Sequence, residues 1–416
     1  MRMSKIGLVM ILLIGSCFTY IYAQAVVYDT LTVMTYNVEY FEYPKDVDRI
    51  EYFKKVVQKI KPDIACFQEI KNDYSGKIFL YKVIENLDVY DYVKINEDRV
   101  LDSYNLLIYN ISKLKFLYEN IINTESRDIN AYYLRVENHV NQDTIVVFSS
   151  HLKAGDKEEQ KEQRYREIKN FQKYVGKLDK DYPIIFAGDL NVYTSREKAY
   201  QVLIDGISID LDDPLNKPGD WHENPNFSFL HTQATRANFS GLDDRFDFIL
   251  MSYHFFDGKD IEYVRGSYRA FGNDGKHLNK SINDPIPSGL DKEIADALYN
   301  ASDHLPVVAR ISYPAVNVGI LSEPICPGNY EISLNIYPNP FNNSTNVHII
   351  TGSMGKHILS LFDLRGVKIF EKEFYPSSRE NKFGIDAGKY GMTTGIYFVR
   401  VSNEKYTTVR KLLLIK

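Results

Sequence analysis

Hydrophobic and polar residues alternate with two different periods along residues 30–313, and this pattern predicts strands interleaved with helices. Residues 47–60 place apolar side chains at helical spacing, at Ile50, Phe53, Val57 and Ile60. Short apolar runs predict strands at residues 31–36, 64–67, 105–109, 132–136, 144–150, 183–188, 246–252 and 307–313. Residues 156–175 are charged with a helical pattern. Strands that alternate with helices, yet also follow one another directly, predict an α+β fold with β-sheets at its centre.

The pattern changes after residue 313. Residues 314–334 contain prolines and glycines without a clear period, and we interpret them as a linker. Residues 335–416 consist of short alternating segments separated by Gly, Ser and Asn. This pattern predicts a small all-β sandwich of roughly 80 residues.

Residues 1–23 have a short basic start, an apolar run and a small residue, Ala23, at the end. This order is typical of a secretory signal peptide that is cleaved after Ala23. A membrane anchor and lipid attachment at Cys17 are the alternatives. Cleavage would leave residues 24–313 as the main domain of a secreted or surface-located protein.

Composition and charge narrow the class of protein. Hydrophobic residues make up 44 % and charged residues 25 % of the 416 positions, which excludes a disordered chain. Three cysteines are too few for a disulfide scaffold. The net charge is −5, to which residues 1–23 contribute +2 and residues 335–416 contribute +6, so residues 24–334 carry −13. Such an acidic domain argues against nucleic-acid binding by charge alone, but it allows a polyanionic substrate if metal cations are bound.

Polar residues follow or flank several of the predicted strands, where a sheet can fix their geometry. They are Asn37, Glu69, His151, Asp189, Asn191, Asp247, Asp303 and His304. Each alone has an ordinary structural explanation as a cap or turn residue. Together, carboxylates and an amide suit a hard cation such as Mg²⁺, and two histidines suit proton transfer near neutral pH. No serine or cysteine nucleophile is evident, so the set indicates metal-assisted attack of water on a phosphate ester.

The motifs MTYNVE, FQEI, SSHLKAG, AGDLN, DRFDFIL and SDHLPV occur in this order over residues 30–313. The series resembles the endonuclease/exonuclease/phosphatase superfamily, which includes deoxyribonuclease I and sphingomyelinases. The resemblance implies a four-layer α/β/β/α sandwich and a Mg²⁺ cofactor, or Mn²⁺ or Ca²⁺ in its place. It implies that Glu69 is the main metal ligand and that Asn37 and Asp303 assist it.

The same resemblance implies the catalytic roles. Asp189 would orient or activate the attacking water, and Asn191 would hold the phosphate. His304 would contact the scissile phosphate, while Asp247 would orient His304. His151 would protonate the leaving oxygen; repair endonucleases tend to have tyrosine at this position, so His151 separates the chain from them.

Residues 335–416 resemble the C-terminal sorting domain of the type IX secretion system. The resemblance rests on the Tyr-Pro-Asn-Pro start at 337–340, the Gly-Ile-Tyr-Phe-Val segment at 395–399 and the basic, apolar end. It implies a removable β-sandwich that engages the secretion machinery and takes no part in catalysis. A generic β-sandwich that binds carbohydrate or a partner is the alternative.

The sequence therefore favours a secreted, metal-dependent phosphodiesterase, most simply a nuclease acting on extracellular nucleic acid. The same chemistry on a phospholipid headgroup or a small phosphate ester is the alternative, and a catalytically silent binding protein is a third. No feature predicts a stable oligomer. Substrate choice depends on loops such as 205–240 and 266–302, which contain no motif that we can assign. The acidic partner of His151 also stays open, with Glu97 or Asp98 in the right region.

Overall fold

The computed structural model describes residues 27–84, 89–137, 139–141, 143–315, 332–351, 353, 355–376, 380–403 and 406–415. The predicted signal peptide at residues 1–23 and most of the predicted linker lie outside the described residues. The chain divides into two compact units, an N-terminal unit up to Val316 and a C-terminal unit from Asn317 onward.

The described residues of the N-terminal unit form two β-sheets and five α-helices. Its strands are β1 (Val27–Phe41), β2 (Ile64–Ile70), β3 (Tyr90–Tyr92), β4 (Tyr104–Asn110), β5 (Leu114–Ile122), β6 (Ile129–Val136), β7 (Thr144–His151), β8 (Ile184–Asp189), β9 (Leu211–Asp212), β10 (Asp247–Ser252), β11 (Glu262–Tyr263), β12 (Arg269–Ala270) and β13 (Val307–Ala315). Its helices are α1 (Ile50–Ile60), α2 (Asp73–Val83), α3 (Glu158–Val175), α4 (Lys198–Ile204) and α5 (Lys292–Ala301). The first sheet has the order β11-β13-β1-β2-β4-β3, with β12 also paired to β13, and the second has the order β5-β6-β7-β8-β10-β9.

Alternation along the strands gives each sheet two apolar faces. In β1, Leu31 and Val33 point into the core between the sheets, whereas Met34 and Tyr36 point outward into the core shared with α1, α2 and α5. The outer face of the second sheet packs against α3 and α4 in the same way. The result is a four-layer α/β/β/α sandwich, which confirms the expected fold class.

Helix α1 shows how the sequence pattern becomes structure. Ile50, Phe53 and Val57 are buried on one face, as the spacing predicted. The α-helix begins at Ile50, because residues 47–49 form a 3-10 turn. Lys61 ends it in the left-handed conformation, with φ 54°, and donates its backbone N–H to the carbonyl of Val57.

Two features inside the sandwich fix the two sheets under the site. Thr35 of β1 donates to Gln68 Oε1 of β2 at 3.1 Å, and Gln68 Nε2 donates to Ser149 Oγ of β7 at 3.1 Å. Gly188 has φ 146°, and a Cβ atom there would lie 1.8 Å from the carbonyl oxygen of Ser150. Only glycine therefore allows β8 to approach β7 this closely, and this approach sets His151 beside Asp189.

The C-terminal unit is a sandwich of two antiparallel sheets. Its strands are β14 (Ile332–Tyr337), β15 (Ser344–Thr351), β16 (His357–Asp363), β17 (Lys368–Phe374), β18 (Glu380–Asp386), β19 (Gly395–Ser402) and β20 (Thr407–Leu414). The sheets have the orders β14-β15-β18 and β17-β16-β19-β20, and one apolar core lies between them. Both ends of the predicted linker 314–334 need correction. β13 extends to Ala315 because it pairs with β1 up to Val27, and β14 begins at Ile332, whose side chain is buried.

None of the described helices is long and apolar enough to cross a membrane.

Candidate active site

The polar residues that the sequence singled out meet at one edge of the sandwich. Strands β1 and β2 are parallel, as are β7 and β8, so each pair ends at a common edge. Asn37, Glu69, His151 and Asp189 lie at or near these ends. Asp247 begins the antiparallel strand β10 directly opposite Asp189, which brings it to the same edge.

Two buried carboxylates share one amide at the centre of this site. Asn37 Nδ2 donates to Glu69 Oε1 at 3.1 Å and to Asp189 Oδ2 at 3.0 Å. The positive φ of Glu69, 65°, turns the chain at the end of β2, and the backbone N–H of Tyr40 donates to Glu69 Oε2. Burial raises the pKa of the Glu69 carboxyl, and burial raises the pKa of Asp189 to about 7 despite the attraction of His304. Burial therefore favours the protonated form of the Asp189 carboxyl when no cation is bound.

His304 forms a buried pair with Asp247. Its Nδ1 lies 2.7 Å from Asp247 Oδ2, and its Nε2 lies 3.7 Å from Asp189 Oδ2. Burial alone would lower the pKa of His304, but Asp247 and Asp303 outweigh it and raise this pKa well above its usual value. The imidazole is thus a cation that points at Asp189. Among the described residues, Asp247 Oδ1 has no hydrogen-bond partner.

His151 has the opposite charge state. Burial, together with the positive charges of Arg127 and His304, lowers the pKa of His151 well below its usual value. Its Nε2 lies 3.6 Å from Glu69 Oε1 and 3.5 Å from Asp189 Oδ2. The neutral ring therefore borders the same carboxylates that face His304.

The two acids considered as partners of His151 lie elsewhere. Glu97 accepts from the backbone N–H of Asp73 at 3.1 Å, and the backbone N–H of Asp98 donates to Asn96. Nδ1 of His151 has no hydrogen-bond partner within the described part of the chain.

Sequence reasoning missed Arg127. Its Nη1 lies 3.2 Å from His151 Nε2, and its Nη2 donates to Tyr40 Oη at 3.1 Å. Asp102 accepts from Nε at 3.1 Å and from Nη2 at 2.8 Å, so the guanidinium forms a bidentate ion pair with this carboxylate. No local pattern marks Arg127, because its partners are distant in sequence. The only sequence signal is that it lies two residues before a buried strand, β6.

Asp303 lies near Glu69, since burial and, to a smaller extent, the charge of Asp303 raise the pKa of the Glu69 carboxyl. Its backbone N–H donates to Glu39 Oε2 at 3.1 Å, and Gln233 Nε2 donates to its Oδ2 at 3.5 Å. The compact donor set consists of Glu69, His151 and Asp189, whose ligand atoms lie within 4.8 Å of one another. Glu39, which the sequence did not single out, connects Asp303 to Arg236 and Arg49.

Asn191 fixes the turn after β8. It has φ 51°, its backbone N–H donates to Asp189 Oδ1 at 3.0 Å, and its Nδ2 donates to the carbonyl of Leu152 at 3.2 Å. In this arrangement it holds the Asp189 carboxylate in place.

The donor set fits a divalent cation. Glu69 and Asp189 bring two buried carboxylates together, and the Asn37 amide nitrogen donates to both. Burial is the main cause of the raised pKa values of both carboxyls, and a bound cation would favour their ionised forms. Oxygen donors of this type suit Mg²⁺, Mn²⁺ or Ca²⁺.

Residues 34–304 match the model of the Endonuclease/Exonuclease/phosphatase family, and this match spans well over half of the chain. The chain belongs to this family. It is accordingly a phosphoric ester hydrolase of a family that depends on a divalent metal ion. Residues 335–416 match the secretion system C-terminal sorting domain, which directs type IX secretion to the cell surface or the extracellular space and implies contact with that machinery.

Solved structures of similar fold include a humanized D. rerio TDP2, with 17 % identity over 68 % of this chain and 98 % of that chain, and a TM-score of 0.47. An endonuclease/exonuclease/phosphatase family protein from Bacteroides thetaiotaomicron has 18 % identity over 70 % and 97 %, with a TM-score of 0.47. A mannosyl-6-phosphatase from Bacteroides thetaiotaomicron has 17 % identity over 68 % and 99 %, with a TM-score of 0.46. No curated protein matches the chain.

Proposed function

We propose that this enzyme is a secreted phosphodiesterase that hydrolyses extracellular nucleic acid by attack of water. The observation that carries the proposal is the position of Asp189 between two histidines of opposite charge state, His304 and His151. A base, a fixed cation and a neutral imidazole around one point are the groups that hydrolysis of a phosphodiester requires.

We assign the metal ion, most simply Mg²⁺, to Glu69 and the Asn37 amide, with Asp303 in a supporting position. When bound, the ion would supply Lewis-acid stabilisation of charge on the phosphate. The amide oxygen of Asn37 accepts from the backbone N–H of Glu39 at 3.0 Å, so the loop after Asn37 positions this ligand.

The side chains of the protein divide the proton transfers. Asp189 accepts a proton from the attacking water, since its Oδ2 lies 3.5 Å from His151 Nε2 and 3.7 Å from His304 Nε2 at the centre of the site. His304, held by Asp247, stabilises the negative charge that develops on the phosphate. The charge of a bound phosphate would oppose the effects of burial and Arg127 on the pKa of His151, so that His151 takes up a proton from solvent and passes it to the leaving oxygen.

A small phosphate ester is the second candidate substrate, and an acidic cluster beside the site favours it. His222 Nδ1 lies 2.9 Å from Asp244 Oδ1, and Asp243 completes the cluster. The backbone of Gln233 forms β-bridges with both Asp244 and His304, so one chain segment separates the cluster from the site. Carboxylates here repel the neighbouring phosphates of a polymer but can hydrogen-bond to hydroxyl or amino groups of a small ester.

The test is to incubate the full chain with supercoiled plasmid and Mg²⁺, with and without chelator, and with Asp189→Ala as the control. Nicking that needs both the metal and Asp189 supports the nuclease. If the folded protein leaves the plasmid intact but releases phosphate from sugar phosphates, or a phosphorylated headgroup from a phospholipid, the small-ester substrate replaces the nucleic acid.

We further propose that residues 1–23 are removed as a signal peptide and that residues 335–416 carry the export signal of the second step. Deletion of residues 335–416 is expected to leave the enzyme in the periplasm. Enzyme that still reaches the medium after this deletion would contradict the proposal. Mass spectrometry of the secreted N-terminus tests cleavage after Ala23.

A further inference from the structure

Three buried polar atoms around one cavity beside the active site have no hydrogen-bond partner among the described residues. They are Nδ1 of His151, Oγ of Ser103 and Oδ1 of Asn105. All three residues line a cavity of about 20 Å³, which Glu69 and Arg127 of the active site also border. A cavity of this volume holds a single water molecule. Because buried polar groups are normally paired, the three atoms indicate a site for a small hydrogen-bonding molecule.

Strands β4 and β7 bring these side chains face to face. The odd-numbered apolar residues of both strands point into the core between the two sheets, so Asn105 and His151 point there as well. Nδ2 of Asn105 donates to the carbonyl of Ser149 at 3.2 Å, which places these two residues at the same level. Because β4 is antiparallel to β2, it begins at the edge where β2 and β7 end. Ser103 directly precedes β4 and therefore lies closer to this edge, on the side of His151.

The contact with Arg127 decides which nitrogen of His151 carries the proton. Arginine nitrogens only donate, so Nη1 of Arg127, 3.2 Å from Nε2 of His151, requires this nitrogen to accept. The proton of the neutral ring therefore lies on Nδ1. Nε2 is also the nitrogen that borders Glu69 and Asp189, so a partner of Nδ1 is what fixes the direction of the ring.

Asn105 and Ser103 supply groups that complement an N–H donor. Nδ2 of Asn105 donates to three oxygen atoms, which belong to Asp128, Ser149 and Asn130. These contacts fix the orientation of the amide, so Oδ1 of Asn105 is an acceptor. The hydroxyl of Ser103 both donates and accepts. The cavity is therefore lined by an uncharged acceptor and a hydroxyl, and no acid is needed to pair with the ring.

We propose that Ser103 and Asn105 are positioning residues that orient His151 through one water molecule bound in this cavity. The water accepts from the Nδ1–H group of His151 and from the Ser103 hydroxyl, and it donates to Oδ1 of Asn105. These contacts give it three hydrogen bonds, the usual number for a buried water. Uncharged groups thus orient His151, whereas the Asp247 carboxylate orients His304. The inference rests on the proposed role of His151 as the proton donor to the leaving oxygen.

The dependence of the rate on the leaving group tests this role, because nitrophenolate leaves without a proton whereas a sugar alkoxide needs one. The full chain is assayed with Mg²⁺ on a thymidine dinucleotide and on the p-nitrophenyl ester of thymidine 5′-phosphate. A sugar phosphate and p-nitrophenyl phosphate replace this pair if the enzyme acts on monoesters. Ser103→Ala is expected to lower kcat about tenfold on the alkyl ester, as for one lost hydrogen bond, and to leave kcat on the nitrophenyl ester nearly unchanged. His151→Ala is expected to show the same preference more strongly, and Ser103→Thr, which keeps the hydroxyl, is expected to restore turnover.

Ser150→Ala is the matched control. Oγ of Ser150 is also buried without a partner among the described residues, but Ser150 points to the opposite face of β7 from its neighbour His151. This variant is expected to treat both esters as the wild type does. ¹⁵N NMR of histidine-labelled protein gives a readout besides activity. The Nδ1 resonance of His151 is expected to be that of a protonated nitrogen and to shift in Ser103→Ala but not in Ser150→Ala.

Several results would overturn the inference. They are an unchanged Nδ1 resonance in Ser103→Ala, an unchanged kcat on the alkyl ester, or equal losses on both esters. If Ser103→Ala fails to fold, Ser103→Cys is measured in its place, because a thiol forms only weak hydrogen bonds. Equal losses on both esters in His151→Ala would refute proton donation by His151 itself, and the inference about Ser103 would fall with it. A preference that appears in His151→Ala but not in the Ser103 variants would refute the inference alone.

Discussion

Arg127→Lys removes the guanidinium fork at the edge of the active site while keeping its charge. Arginine here contacts Asp102 with two nitrogens, Tyr40 with one and His151 with one. Lysine presents a single point charge and cannot make these contacts together. Because Arg127 lies beside His151, we expect it to donate to the substrate phosphate, and loss of one such charge-assisted hydrogen bond is worth about 2–3 kcal/mol. We therefore expect kcat/KM to fall by about 30- to 150-fold, with little change in stability.

Steady-state kinetics on the substrate that the plasmid and ester assays identify measure this loss. Asp102→Asn is the control, since it weakens the outer contact of Arg127 but leaves the guanidinium facing His151. If Arg127 acts on the substrate, Arg127→Lys is the more damaging of the two variants. A second readout is the pKa of His151, measured by NMR: besides burial, the charge of Arg127 lowers it, so Arg127→Met raises it. Kinetics within threefold of wild type in Arg127→Lys would refute this reasoning.

Three further predictions concern charges buried in the N-terminal unit. Asp247→Asn removes the carboxylate 2.7 Å from His304 Nδ1 and is expected to lower kcat by ~10²–10⁴-fold, as steady-state kinetics would show. The buried Glu197 carboxylate lies 2.6 Å from Nη2 of Arg164. Arg164→Met removes this cation and is expected to lower the free energy of unfolding, measured in urea, by ~3–5 kcal/mol. Burial raises the pKa of Asp244 to about 7, so the native state binds more protons than the unfolded state between pH ~4 and 7, and stability falls as pH rises through this window.

Each of these predictions has a control. For the buried pair, Arg164→Met combined with Glu197→Gln is expected to recover much of the lost free energy of unfolding. An equal loss in the single and the double variant would contradict the charge argument. For the pH effect, Asp244→Asn is expected to remove a decline on the order of 2 kcal/mol between pH 5 and 7. An unchanged slope in that variant would mean that Asp244 is ionised throughout. For Asp247→Asn, a normal kcat would show that His304 needs no orienting partner.

The long strands and the site at their ends could be predicted from the sequence, because a continuous apolar run and the polar residue after it are local signals. Helix α5 was not anticipated, although Asp291 caps it and Ile294 and Leu298 are buried at helical spacing. Its residues belong to the segment 266–302 that we interpreted as a loop. The two-residue strands β9, β11 and β12 are too short to leave a periodic signal, and only pairing with longer strands creates them.

The parts of the site that escaped prediction depend on contacts between distant residues. Arg127 meets Tyr40 across 87 positions and His151 across 24, so no window of sequence contains both partners. Asp303 is close to Glu69, as expected, but the Glu39 carboxylate accepts the backbone N–H of Asp303 and so fixes the orientation of that residue. Such details follow from how the chain folds back on itself, and local pattern does not encode them.

The second sheet is one uninterrupted stretch of chain, from Leu114 to Ser252, inserted between the two parts of the first sheet. This stretch carries the proposed base, Asp189, and the leaving-group acid, His151, while the proposed metal ligands and His304 lie outside it. Catalysis is therefore a property of the assembled pair of sheets, and a piece of either one is inert. Cutting the chain at 112 and 256 would divide the enzyme into inactive fragments whose recombination restores turnover, so product formation would serve as a direct count of reassembled molecules.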